Sequence, residues 1–285
     1  MQSLTIKNRR QSSLQIRIAD HWKYPDFLEL LSLEPEELLR LPQTTLLSTV
    51  PSTTVVTTVF RNQRLYFKYF LESRSISVLK TMFRGSKAMR ALKGAKLLSK
   101  ISIDTPEIIA VRQNRCPALQ HVSLLVTCHK EGENLRSILR TENLDCRMRH
   151  LLVSCLGEFI AHMHNNRIVH GDLHPGNILM SGIRLSNGAS ASFALMDTER
   201  VRKVHALNSR KIFRDLALLN HPNLGCITPL DRLRFIATYY KEMDFQKNNI
   251  RPSDIRGLTA KIHAMSYYRY GKKRTNNLEY ATPKK

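Results

Sequence analysis

His170-Gly171-Asp172-Leu173-His174-Pro175-Gly176-Asn177-Ile178-Leu179 decides the fold of this chain. Upstream, Leu152, Cys155, Leu156, Phe159, Ile160 and Met163 recur at spacings of three and four, which predicts a long helix with one apolar face. Downstream a hairpin is expected, with Asn177 to Met180 as one strand, Ser186-Asn187-Gly188 at the turn and Phe193 to Met196 as the other. Met196-Asp197-Thr198-Glu199 stands at the hairpin's far end. One loop therefore presents a carboxylate, Asp172, then an amide five residues on, Asn177, then a second carboxylate, Asp197, across a hairpin. Phosphoryl transfer needs that set: a carboxylate to orient the attacking hydroxyl and take its proton, and oxygen ligands to hold Mg²⁺ on nucleotide phosphates. Four fixed residues in the pattern H-G-D-x-x-x-x-N arise by chance in roughly 0.2% of chains this long, at about 1 in 20 per position.

A matching cation should come from elsewhere, and the strand Tyr66 to Phe70 offers Lys68. That strand belongs to a β-branched region beginning at Thr44 and broken by Pro51 and by Arg61-Asn62-Gln63-Arg64, which reads as two or three antiparallel strands. Ahead of it, Pro25 to Leu41 reads as short helices. After it, Ala88, Leu92, Ala95 and Leu98 recur at helical spacing behind Ser86 as N-cap. Ile108 to Val111 and Val122 to Thr127 read as strands, then come the turn Cys128 to Gly132 and a helix through Leu135 and Leu139. Helices resume at Ser209 to Leu219 and Leu230 to Met243.

Strands with a central Lys, one helix, two strands, a turn, a long helix, the loop, a hairpin and an acidic residue follow the order of the protein-kinase fold, which the chain resembles from roughly Ser48 to Met243. The resemblance implies an α+β, two-lobed architecture: an N-terminal extension over 1–43, a lobe over 44–130 with an antiparallel sheet and one helix, and a mainly helical lobe over 131–285 ending in a basic tail. Within that superfamily the chain is most similar to the lipopolysaccharide core kinases, which phosphorylate Kdo or heptose sugars. The likeness is carried by the 170–179 loop, Leu195-Met196-Asp197, Arg214-Asp215-Leu216, and Asp231-Arg232-Leu233-Arg234-Phe235 before Tyr239-Tyr240. The loop is also shared with small-molecule kinases of the aminoglycoside phosphotransferase type.

By this resemblance Asp172 is the catalytic base, Asn177 and Asp197 are the metal ligands, and Lys68 holds the α and β phosphates of ATP. The Cys128 to Lys130 backbone is the hinge that meets adenine, and Asp215 braces the catalytic loop. Two features depart from the kinase pattern. Ser48 to Val59 contains no glycine where a G-x-G-x-x-G loop would cover the phosphates, and Ser73 to Thr105 offers no Glu to pair Lys68, Asp104 being its only carboxylate. Glu199 stands where a glycine is expected after the metal-binding Asp, which argues against a flipping activation segment. His170 and His174 read as loop-packing residues.

Forty-five Lys and Arg against 23 Asp and Glu give a net charge of +22, so the expected partner is anionic. A lipopolysaccharide core or another anionic glycan suits that charge, as does peripheral contact with an anionic membrane surface. Val78 to Lys100 carries seven basic residues and no acidic one; it reads either as a solvated helix face or as such a contact. The tail Tyr267-Tyr268-Arg269-Tyr270-Gly271-Lys272-Lys273-Arg274 mixes aromatics and bases, but no RRM, KH or zinc signature accompanies it, so nucleic acid is not the expected partner. Five cysteines without a C-x-x-C pair fit a reducing compartment better than a disulfide framework, and no secretory signal or spanning segment is evident, so the expected place is the cytoplasm, at the inner face of the membrane. Two other readings stay open: a kinase for small soluble hydroxyl compounds or protein side chains, and a non-catalytic basic scaffold of the same fold, supported by the missing glycines and helix Glu.

Overall fold

The computed structural model describes residues 1–7, 13–72, 85–114, 121–140, 144–184, 190–205, 209–220 and 226–246. The tail at 267–274, the hairpin turn at 186–188, Cys116 and the 78–84 part of the basic stretch lie outside the described residues. The chain divides into two units, Met1–Lys96 with Thr105–Lys130, and Leu97–Asp104 with Glu131–Lys285.

The first unit is built on an antiparallel sheet of seven strands: β1 (Gln2–Lys7), β2 (Ser13–Ile18), β3 (Thr45–Val50), β4 (Thr53–Phe60), β5 (Gln63–Glu72), β6 (Ile108–Asn114) and β7 (His121–Cys128). Their spatial order is β1-β2-β6-β7-β5-β4-β3. Alternation along β5 divides its side chains between two faces. Phe67 and Tyr69 pack with Trp22, Phe27, Leu31 and Leu38, which come from the short helices α1 (Pro25–Ser32) and α2 (Pro35–Leu38) and the turn before them. Phe70 packs with Ala88, Ala91 and Leu92 of α3 (Lys87–Ser99). Ser86 caps α3 as expected, its Oγ accepting the Met89 amide at 3.3 Å.

The first 43 residues therefore do not stand ahead of the sheet as an extension. β1 and β2 extend it, β2 pairing with β6 from Leu14 opposite Asn114 to Ile18 opposite Ala110, and α1 and α2 cover one face. Arg112 locks this arrangement. Buried on β6, it donates to the Leu31 and Leu33 carbonyls at 3.0 and 3.1 Å and to Glu34 Oε1 at 2.9 Å. Leu4 and Ile6 in β1 and Leu14, Ile16 and Ile18 in β2 alternate as strands do, a signal that the expected extension over 1–43 left out of account.

The second unit is mainly helical. A three-stranded sheet, β8 (Glu133–Asn134), β10 (Ile178–Arg184) and β11 (Ser190–Leu195), and a two-stranded ladder, β9 (Ile168–Val169) with β12 (Arg202–Lys203), accompany the helices α4 (Leu135–Ile138), α5 (Cys146–Asn165), α6 (Ser209–Leu219) and α7 (Pro229–Glu242). Asp145 caps α5 through the Met148 amide at 2.7 Å, and Asn166 ends it. Leu152, Leu156, Ile160 and Met163 of α5 are buried with Leu216 and Tyr239, as the three-and-four spacing requires. α5 and α7 meet at Gly157, where a Cβ would lie 2.9 Å from the Phe235 carbonyl oxygen.

Candidate active site

The loop between β9 and β10 is held from beneath by one carboxylate. Asp215, buried on α6, accepts the His170 amide at 2.8 Å through Oδ2 and the Gly171 amide at 2.9 Å through Oδ1. This is the bracing role expected of it. Burial presses that carboxyl toward protonation, but the His164 ring and the His170 side overturn the effect and hold it below the usual carboxylate range. His164 is itself buried, with Nε2 3.5 Å from Asp215 Oδ2 and Nδ1 2.8 Å from the Tyr239 hydroxyl. Burial, and then Asp215, raises the Tyr239 phenol well above its ordinary value, so the hydroxyl keeps its proton at its 2.8 Å contact with Nδ1. A buried chain of polar groups thus runs from α7 through α5 to the loop.

His170 fixes the loop's other side. Its Nε2 lies 3.0 Å from the Met196 carbonyl, which can only accept, so Nε2 carries the proton. Burial holds this ring neutral, below its ordinary range, against the pull of Asp215. Its Nδ1 is buried with no partner. The chain then turns at Gly171, whose φ of 79° favours glycine and where a Cβ would come 3.0 Å from the Arg200 carbonyl oxygen.

Asp172 follows, partly exposed, with Oδ2 3.3 Å from Arg200 Nη1. Asn177, buried at the end of a 3₁₀ turn from Pro175, donates from Nδ2 to the Asp172 carbonyl at 3.0 Å. The Asn177 carbonyl accepts the Met196 amide at 2.9 Å. Asp197 comes next, in the left-handed region at φ 53° and ψ 57°, and opens the turn Thr198–Arg200. Asn134 ties the loop to α4, donating to the Gly176 carbonyl at 2.7 Å and capping the Arg136 amide at 2.8 Å. Arg136 Nη2 lies 3.4 Å from His174 Nδ1, and burial followed by that guanidinium lowers the His174 ring below its ordinary range.

Asp172, Asn177 and Asp197 are thus gathered on one hydrogen-bonded frame. Lys68 and Cys128 to Lys130 belong to the sheet unit, where β5 and β7 place Lys68 opposite Leu125 and Cys128 opposite Leu65. The Lys68 ammonium lies 5.1 Å from the Phe70 ring, and α3, the next helix along the chain among the described residues, carries no acidic residue. The Cys128 amide donates to the Glu107 carbonyl at 3.0 Å and the His129 amide to the Arg64 carbonyl at 2.8 Å, so those two donors fasten the strand end. Burial, with Glu107, pushes the Cys128 thiol up to about 11. β3 and β4 join at Pro51-Ser52 as a β-hairpin without glycine, and β3 is exposed along its whole length.

An apolar cavity of about 260 Å³ in the helical unit, walled by Leu135, Leu156, Leu219 and Leu233, reaches the loop only at Pro175. It holds none of the loop's carboxylates.

Sequence reasoning assigned no role in this site to four residues: Arg200, Asn134, His164 and Tyr239. Arg200 had a signal, since a single tight turn after Asp197 brings the third residue back toward the loop. His164 on the apolar face of α5 had only a weak one, because a lone His there reads equally as core.

A profile of the lipopolysaccharide kinase (Kdo/WaaP) family matches residues 49–239. No curated protein matches the chain by sequence. Among solved structures, WaaP in complex with acyl carrier protein superimposes with a TM-score of 0.63 at 18% identity, covering 90% of this chain and 99% of that one. At that identity the likeness is one of fold, and it agrees with the expected α+β kinase-like class.

Proposed function

Since the chain belongs to the lipopolysaccharide kinase (Kdo/WaaP) family, and so is a phosphotransferase acting on a hydroxyl acceptor, we propose that it moves the terminal phosphoryl group of ATP to a hydroxyl of Kdo or heptose in the inner core. The observation that carries this reading is the loop itself. Asp172 reaches solvent while the backbone on either side is fixed, by Asp215 before it and by Asn177 after it.

In the proposed reaction an Asp172 carboxylate oxygen accepts a hydrogen bond from the sugar hydroxyl and takes its proton as the oxygen attacks the γ-phosphorus; ADP leaves. Most of the rate enhancement would come from holding the hydroxyl in line, since the loop backbone is already hydrogen-bonded on both sides of the Asp172 side chain. Lys68 would meet the α and β phosphates. The carbonyls of the Cys128 to Lys130 segment would meet adenine, because its first two amides are already bonded.

The donor set fits a small hard cation. Asn177 spends its Nδ2 on the Asp172 carbonyl, which leaves Oδ1 as its only ligating atom. Among the described residues no three His, Cys, Asp or Glu side chains cluster into a full cage, whereas Mg²⁺ takes one or two protein oxygens and completes its octahedron with phosphate and water. Asn177 and Asp197 would hold it, and it would offset charge on the transferring phosphate.

The net charge of +22 supports an acceptor rich in phosphate and carboxylate, and peripheral contact with an anionic membrane face. Among the described residues no helix is long and apolar enough to cross a membrane.

The test is ATP turnover with Mg²⁺ by the purified chain given no acceptor, deacylated core oligosaccharide or whole lipopolysaccharide, with Asp197→Ala alongside. Turnover that rises with the glycan and vanishes in the variant is expected. Turnover indifferent to the glycan would assign a small soluble acceptor instead, and failure to bind nucleotide would leave the scaffold reading.

A further inference from the structure

We infer that Arg200 is a specificity-determining residue: from its place on Asp172 it receives an oxyanion of the acceptor sugar, next to the hydroxyl that is phosphorylated. The inference rests on the phosphotransferase reading above and deepens it by naming the chemistry the acceptor must carry.

A guanidinium presents five N–H donors in a planar fork. One of these, on Nη1, faces Asp172 Oδ2 at 3.3 Å, and Nε faces Glu199 Oε1 at 3.8 Å, beyond hydrogen-bond reach. The Arg200 side chain is 47% exposed and that of Asp172 24%, so the rest of the fork opens to solvent beside the base. Its backbone is closely packed. The Arg200 carbonyl and Cβ would lie 3.0 and 3.1 Å from a Cβ at Gly171, and Arg202, two residues on, pairs with Val169 in the β9–β12 ladder. A well-held, half-exposed cation thus shares a carboxylate with the loop and keeps donors to spare.

That arrangement discriminates. With Oδ2 on Arg200, Asp172 keeps Oδ1 for the incoming hydroxyl. The open edge of the fork then faces whatever the sugar carries beside that hydroxyl. A carboxylate or a phosphate ester matches the fork with two parallel hydrogen bonds, as an ammonium could not. A neutral sugar offers the fork only uncharged hydroxyl oxygens, whose hydrogen bonds are about half as strong as those of an oxyanion and little better than those of the water they displace. Asp197 and Glu199 on the same turn add negative charge, so a cationic acceptor substituent would be drawn to them rather than to the fork.

The experiment uses the full chain with three acceptors: a glycoside of a sugar acid, the same glycoside with its carboxyl reduced to an alcohol, and a neutral sugar bearing a phosphate ester. The wild type should favour an anionic acceptor by about 30-fold in kcat/KM, in line with charge-assisted hydrogen bonds. Arg200→Ala should lower turnover of every acceptor but cut that preference to about threefold or less, mainly through the acceptor's KM, with the KM of ATP unmoved; Arg200→Lys should recover part of it. Whether the carboxylate or the phosphate ester loses its advantage identifies the source of the oxyanion. Equal losses on all acceptors with the preference intact would reduce Arg200 to a brace for Asp172 and overturn the assignment. A raised KM for ATP would overturn it too, by placing the fork on the donor phosphates. A wild type that turns over no glycan at all sinks the phosphotransferase reading itself, whereas an active wild type with an indifferent variant sinks only this one.

Discussion

Each unit has a charge buried almost completely that gathers backbone groups around it, Asp215 in one and Arg112 in the other, and the two solve the problem as mirror images. In the helical unit Asp215, 1% exposed, gathers two backbone N–H groups and lies beside His164. In the sheet unit Arg112, 1% exposed, gathers two backbone carbonyls and the Glu34 carboxylate. The acid fastens the loop that carries the chemistry. The base fastens α1 and its following turn to the sheet, which is architecture. Similar electrostatic devices therefore serve different ends, and substitutions should tell them apart.

The largest effect should come from the residue the acid positions. Asp172→Asn keeps the shape but removes the proton acceptor, so phosphoryl transfer should fall about 10³- to 10⁴-fold while nucleotide affinity stays within a few-fold. Single-turnover transfer and a nucleotide-binding titration on the same preparation check this. Unchanged transfer would mean that the loop's order serves something other than transfer to a hydroxyl.

Next come the two buried charges. Asp215→Ala strands the His170 and Gly171 amides, and Arg112→Met strands the Leu31 carbonyl and unpairs the Glu34 carboxylate, while the Leu33 carbonyl keeps the Tyr69 hydroxyl at 3.1 Å; each should cost about 3–5 kcal/mol of stability, the range for breaking a buried charged cluster. The difference lies in activity. The folded fraction of the Asp215 variant should lose kcat, because the loop backbone shifts beneath Asp172, whereas that of the Arg112 variant should keep it. Denaturant melts paired with active-site-normalised rates separate the two. A catalytic loss in the Arg112 variant as deep as that in the Asp215 variant would erase the distinction.

How much of this was legible in sequence follows the same division. The loop and the hairpin could be read because phosphoryl chemistry fixes residue types at short spacings, and the bracing Asp215 only through the resemblance to the kinases, since it acts on amides 44 and 45 residues away. The order of strands and helices from β3 to α7 could be read because each carries its own periodicity. Arg112 could not. A basic residue in a strand reads as solvent-facing until the carbonyls about 80 positions away are known to surround it, and those carbonyls belong to the segment read as an extension. Arg200 escaped although the tight turn after Asp197 hinted at it, since its contact with Asp172 crosses from one loop to another. Local chemistry shows in local sequence, while long-range electrostatics show only once the fold has closed.

The smallest effect concerns pH and sharpens the contrast further. Burial depresses the His170 ring in the folded protein, whereas in the unfolded chain it titrates near the ordinary value of about 6.5. As pH falls, the unfolded state takes up that proton first, so stability should decline below about pH 6.5, with a slope no steeper than about 1.4 kcal/mol per pH unit for this one site. Asp215, also depressed, adds a separate loss at lower pH, fully absent above the unfolded carboxylate value of about 3.9 and growing as pH falls toward its folded value. His170→Gln keeps a donor for the Met196 carbonyl but has no proton to gain. Calorimetric melts from pH 8 to 5 should therefore show a shallower decline in the variant than in the wild type, and identical slopes would place the titration elsewhere. The Arg112 cluster gives the contrast its other half: its partners are two backbone carbonyls and Glu34, with no histidine among them, so the clamp in the sheet unit should not feel the protonation that loosens the catalytic loop.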